Sequence, residues 1–121
     1  MRSTKEIGDF YEREVIRYLQ QKGYRILSSN YRCRFGEIDW IAMAPDGITL
    51  VYGETKYRKT TACGHGLEAV DSRKIRKICK TAMYHYSSQG MEGERPVRFD
   101  VIAIDSDKNI THIENAFDYM E

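Results

Sequence analysis

Two carboxylates and a lysine flank a turn signal at spacings that would bring them together. Glu37 and Asp39 precede Ala44-Pro45-Asp46-Gly47, and Glu54 and Lys56 follow it. With Asp46-Gly47 as a two-residue turn, Asp39 faces Glu54 and Glu37 faces Lys56. Side chains alternate along a strand, so all four share one face, with directly opposed Cβ atoms about 4.5–5.5 Å apart. Like charges set opposite each other destabilise a sheet. A hard divalent cation such as Mg²⁺, which takes carboxylate oxygens, would remove that conflict. Lys56 adds a positive charge on the same face. Such a group suits phosphodiester hydrolysis: the metal polarises the phosphate and acidifies water, and the lysine orients that water and offsets developing charge. The competing reading is a solvated strand face, with Lys56 in a surface ion pair worth about 0–1 kcal/mol.

These residues need a sheet to hold them. Residues 4–22 carry Ile7, Phe10, Tyr11, Val15, Tyr18 and Leu19 at three- and four-residue spacing, a helix with Gly23 as its stop. Residues 24–31, 36–43 and 48–56 are rich in β-branched and aromatic residues and read as strands. Residues 57–66 are polar, basic and glycine-bearing, a loop that serves either as a lid or phosphate cradle or as a plain connection. The helical period returns from Leu67 to about Ser87. Residues 97–104 form a further strand, residues 109–113 a short edge strand, and the tail from Glu114 is helical or frayed. The order α-β-β-β-α-β predicts an α/β fold, a mixed sheet flanked by helices.

Length and composition agree with one domain over residues 1–121. The formal net charge is +1, so nucleic-acid contact would need local clusters of basic residues. Such a cluster exists: Arg73, Lys74, Arg76, Lys77 and Lys80. Arg73, Lys77 and Lys80 make one helical stripe, read either as a solvated face or as a phosphate contact. Cys33, Cys63 and Cys79 are odd in number and widely spaced, against a disulfide framework. Cys63-Gly64-His65 lacks the second pair a zinc site needs. No apolar run reaches a membrane span, and the expected location is a reduced cytoplasm. Trp40 projects opposite Asp39 and is read as core. Asp100 is read as a structural partner of Arg98 or a lysine. His65 is an incidental loop histidine or an acid–base group.

The quoted residues also carry a resemblance. Gly36-Glu37-Ile38-Asp39, Glu54-Thr55-Lys56-Tyr57-Arg58, Glu68-Ala69-Val70 with Lys74, and Arg98-Phe99-Asp100-Val101 resemble the bacterial UPF0102 (YraN-like) family, as do Gly8, Glu12 and Leu19. That family resembles the PD-(D/E)xK nuclease superfamily and, within it, archaeal Holliday-junction resolvases. The resemblance implies a restriction-endonuclease-like core and a metal-dependent endonuclease acting on DNA, branched or damaged DNA included. Asp39, Glu54 and the Thr55 carbonyl would hold Mg²⁺ or Mn²⁺, with Glu12 assisting from the first helix. Lys56 would position water, and Arg58, Lys59 and Lys74 would contact phosphates. A resolvase-like role would favour a two-fold dimer. Ile38 stands before Asp39 rather than proline, as is common in this family; further departures are Val15 for a small alanine, and Gly53 and Thr55 where valine is usual. Glycine inside a strand marks a bulge or a close approach by another backbone. Two other readings stay open: a nucleic-acid-binding module without turnover, and an adaptor whose acidic face meets a protein.

Overall fold

The computed structural model describes residues 4–58, 71–89 and 94–121. Helix α1 (Thr4–Gln21) leads into strands β1 (Arg25–Cys33), β2 (Gly36–Met43) and β3 (Leu50–Arg58). Helix α2 (Ser72–Ser88) then connects to β4 (Val97–Asp105) and β5 (Ile110–Ile113). The strands lie side by side in chain order. β1, β2 and β3 pair antiparallel, β4 runs parallel to β3, and β5 closes antiparallel on β4. This is the mixed sheet and element order expected from the sequence. No described helix is long and apolar enough to cross a membrane.

One helix covers each face. Val15 and Leu19 of α1 pack with Trp40, Ala42, Val51, Ile102 and Ile104. Ile78, Cys79 and Ala82 of α2 pack with Ile38, Ile41, Leu50 and Tyr52. α1 stops at Gly23, whose φ of 93° suits a residue without a Cβ. Tyr24 N–H donates to the Leu19 carbonyl and Gly23 N–H to that of Gln20, the paired bonds of a Schellman ending. Asp71 caps α2 by accepting from Lys74 N–H at 2.9 Å.

Three expectations are corrected. The β2–β3 connection is not a two-residue turn: Ala44 N–H donates to the Thr49 carbonyl at 2.9 Å and closes a four-residue loop, residues 45–48. The Asp46 carboxylate accepts from Ile48 N–H, Thr49 N–H and the Thr49 hydroxyl. The loop grows by one residue on each side, so the expected register survives as Met43↔Leu50 through Trp40↔Gly53. The pairs end there, and Glu37 does not meet Lys56. Glu37 instead pairs with Arg32 at 3.0 Å and is largely exposed. The tail is neither helical nor frayed: Ala116 N–H donates to the Phe99 carbonyl, and Phe117 stacks on Phe99.

Gly53 marks neither a bulge nor a backbone contact. A Cβ there would lie 1.9 Å from the Trp40 indole, which crosses the strand at that point. Trp40 is 1% exposed, the core residue its place on β2 implied.

Candidate active site

Beyond Trp40↔Gly53 the two central strands part, and Asp39 and Glu54 stand at the opening. Asp39 is half-buried, and one of its oxygens accepts from Thr55 N–H at 2.7 Å. Burial, then the nearby charge of Glu54, push its carboxyl up to about 7, against the pull of the Thr55 N–H. Glu54 is buried. Its Oε1 meets Lys74 Nζ at 2.5 Å and Lys56 Nζ at 3.4 Å. Burial, reinforced by Lys74, lowers the Lys56 ammonium below its ordinary range. For Lys74 burial also pulls down, but the bond to Glu54 outweighs it and raises the group.

The same end of α1 brings a third acid. Glu12, Asp39 and Thr55 line a cavity of about 470 Å³ together with Asp9, Arg13 and Asn30. Glu12, Asp39 and Thr55 also line an adjoining hollow with Tyr11 and Tyr57. Glu12 accepts from the Asn30 amide at 3.1 Å. Asn30 adopts a φ of 53°, a left-handed conformation asparagine tolerates better than most residues. Tyr11 stacks on Tyr57 at 4.4 Å, which ties α1 to the end of β3 beside the site.

The structure therefore brings Glu12, Asp39, Glu54, Thr55, Lys56 and Lys74 together. Lys74 is turned inward onto Glu54, away from the exposed basic stripe of its helix. Arg58 folds back on its own strand, donating to the Tyr57 carbonyl at 3.1 Å, and lines neither cavity. Lys59, Cys63, His65 and the start of the expected second helix lie outside the described residues. Sequence spacing missed Asn30, whose signal was an asparagine inside a β-rich run. It also missed the Lys74–Glu54 bond, because no spacing rule joins a helix to a strand across a crossover.

Among the described residues, no three His, Cys, Asp or Glu side chains converge on one point. A Mg²⁺-type ion does not require that. It keeps several waters and binds through one or two carboxylates plus substrate phosphates. Asp39 and Glu54 supply two hard oxygen donors, and burial together with the charge of Glu54 raises Asp39. That donor set fits such an ion.

A second polar cluster lies deeper in the sheet. Asp100 is fully buried and accepts from Arg98 Nε and Nη2, both at 2.9 Å, from Asn115 N–H at 2.9 Å, and lies 2.7 Å from His112 Nε2. Arg98 also donates to the Tyr24 hydroxyl. The expected Arg98 partnership is present, and His112 and Asn115 complete it.

Residues 11–104 match the model of a family described as "Uncharacterised protein family UPF0102". A UPF0102 protein of Thermodesulfovibrio yellowstonii is 47% identical over 93% of this chain and 96% of its own. One from Persephonella marina is 45% identical over 88% and 89%, and one from Vibrio parahaemolyticus 44% over 94% and 93%. Among solved structures, SfsA of Pyrococcus furiosus in complex with Ca²⁺ aligns with a TM-score of 0.36 at 13% identity. That alignment covers 93% of this chain but only 63% of SfsA, a likeness too slight to bear on function. With a family model matched over most of its length and relatives up to 47% identical, the chain belongs to the UPF0102 family.

Proposed function

We propose that the protein is a divalent-metal-dependent endonuclease that hydrolyses phosphodiester bonds in DNA at the Asp39–Glu54–Lys56 site. The observation that carries this reading is a charge conflict. Asp39 and Glu54 stand together where strands part, and burial, then the charge of Glu54, raise the Asp39 carboxyl to about 7. A fold has no structural need for two opposed carboxylates, whereas a cation resolves them.

Asp39 and Glu54 would hold Mg²⁺ or Mn²⁺, with the Thr55 carbonyl beside them. The bound ion supplies Lewis-acid polarisation of the phosphate and neutralises charge. Thr55 N–H fixes the Asp39 carboxylate by bonding one oxygen. Lys56, already desolvated and close to Glu54, orients the attacking water and offsets negative charge as it builds on the phosphate. Glu12, oriented by Asn30, lines a cavity with Asp39 and Thr55 and orders water there. Water adds to phosphorus, the P–O ester bond breaks, and the water's proton ends on the departing hydroxyl.

The test is a cleavage screen over branched, single-stranded and duplex nucleic acids with Mg²⁺ or Mn²⁺. Parent protein is expected to cut at least one of them. Asp39→Ala and Lys56→Ala are expected to lose roughly a hundredfold or more in rate, the usual cost of one electrostatic group at the reacting centre. Variants that cut as fast as the parent would refute the assignment.

One observation favours a second reading. Lys56 and Lys74 both neutralise Glu54 without any metal ion. A nucleic-acid-binding module that keeps this site for structure alone would bind with a steep salt dependence and cut nothing.

A further inference from the structure

Beside the site, basic residues surround a pair of exposed aromatic rings. Arg73, Lys77, Lys80 and Tyr84 follow one another along α2 at spacings of four, three and four, and all are exposed. The stripe begins next to Lys74, whose ammonium touches Glu54. It extends for about 16 Å at the helical rise of about 1.5 Å per residue. At its far end Phe35, on the β1–β2 turn, meets Tyr84 with ring centroids 5.8 Å apart. The two rings are 37% and 43% exposed. Arg34 lies over the Phe35 ring at 4.9 Å. The turn is seated on α2 here: a Cβ at Gly36 would lie 3.1 Å from the Thr81 hydroxyl and 3.9 Å from Lys77 Cβ.

Single exposed aromatics are ordinary on protein surfaces. Two that meet beside three arginine or lysine residues on one helix, with a further arginine over one ring, make a different surface. Positive charge suits a polyanion, and the rings suit a flat apolar partner. Single-stranded nucleic acid offers both, because its unpaired bases expose π-faces that a duplex keeps stacked inside. The basic part of the stripe, Arg73 to Lys80, covers about 10 Å at the same helical rise, room for a few successive phosphates of one strand.

We infer that this face binds single-stranded nucleic acid, with phosphates along Arg73, Lys77 and Lys80 and an unpaired base on Phe35 and Tyr84. The inference rests on the nuclease reading for its biological meaning and gives that reading a substrate class: strands with an unpaired segment leading to the Glu54 end of the stripe.

The experiment measures anisotropy of a labelled oligothymidylate and of a blunt duplex of equal length, in chelator so that no cutting intervenes. The parent should bind the single strand more tightly. Phe35→Ala with Tyr84→Ala should weaken single-strand binding about tenfold or more, and the duplex far less. Phe35→Leu with Tyr84→Leu keeps apolar volume and loses stacking, so it reads the rings even if the alanine pair melts. Lys77→Ala with Lys80→Ala should weaken both probes and reduce the salt slope by about two. Aromatic variants that bind the single strand as the parent does would overturn the inference while leaving cleavage at Asp39 untouched. A parent that ignores both probes would also overturn it, and would leave the patch to an acidic protein partner. A parent that binds through these rings but cuts nothing would uphold it and sink the nuclease reading instead.

Discussion

Asp39 on β2 and Asp100 on β4 flank the central strand of the same sheet and meet opposite fates. Asp100 is fully buried, yet Arg98, His112 and Asn115 N–H all face its two oxygens. Burial alone would raise its carboxyl, but those partners hold it below the ordinary range. Asp39 is less buried, has one backbone donor, and faces another carboxylate, so its carboxyl rises to about 7. Gly53 stands between them, paired with Trp40 on one side and Asp100 on the other. A satisfied buried charge fastens a fold. An unsatisfied one beside a cavity is ready for something the fold does not supply.

The largest break in this contrast is expected at Asp100. Asp100→Ala leaves Arg98 and His112 facing a void and should cost about 3–5 kcal/mol in urea unfolding, the range for orphaning one member of a buried charge pair. A loss under about 1 kcal/mol would mean that the cluster is incidental.

At Asp39 the sign reverses. Asp39→Asn keeps the acceptor for Thr55 N–H and removes the repulsion from Glu54, so it should stabilise the protein. Asp39 has a folded value of about 7 against an ordinary 3.8. Between those values the folded state holds the extra proton, so stability falls as pH rises through that window. The gain from Asp39→Asn should therefore be small near pH 4 and full above about pH 7. Asp100 runs the other way: its stabilisation is complete above the ordinary carboxylate value and is lost as pH falls towards its lowered folded value. Melting curves of the two asparagine variants across pH separate the patterns. Parallel pH profiles would refute the contrast.

The smallest effect concerns Lys74. It occupies a Glu54 oxygen that a cation would share, and it is half-exposed. Lys74→Ala should tighten Mn²⁺ binding by about three- to fivefold, the scale of a partly solvated ion pair worth under about 1 kcal/mol. Weaker binding in that variant would show that Lys74 supports the ion rather than competes with it.

Much of this was readable in advance. The helical period placed α1 and its apolar face, and alternation with β-branched residues placed β2, β3 and β4. The expected register held from Met43↔Leu50 to Trp40↔Gly53 even though the turn did not, and the ladder stops one pair short of Asp39 and Glu54. A loop that lengthens by one residue on each side leaves pairing unchanged, so register is the sturdier inference. Glu37 failed because the strands separate after Trp40, and separation comes from tertiary packing that local sequence does not encode. The indole over Gly53 was unreadable for the same reason: glycine announces close approach but not what approaches. The partners of Asp100 come from β5 and from the residues after it, across two chain reversals. The Arg98–Asp100 link, two residues apart on one strand, was visible.

The central claim is that Asp39 and Glu54 form a cation site, and calorimetric titration with Mn²⁺ tests it most directly. The expected result is one saturable site in the parent, lost in both Asp39→Ala and Glu54→Ala while the folded state persists by circular dichroism. No saturable heat in the parent, or binding that survives both substitutions, would contradict it.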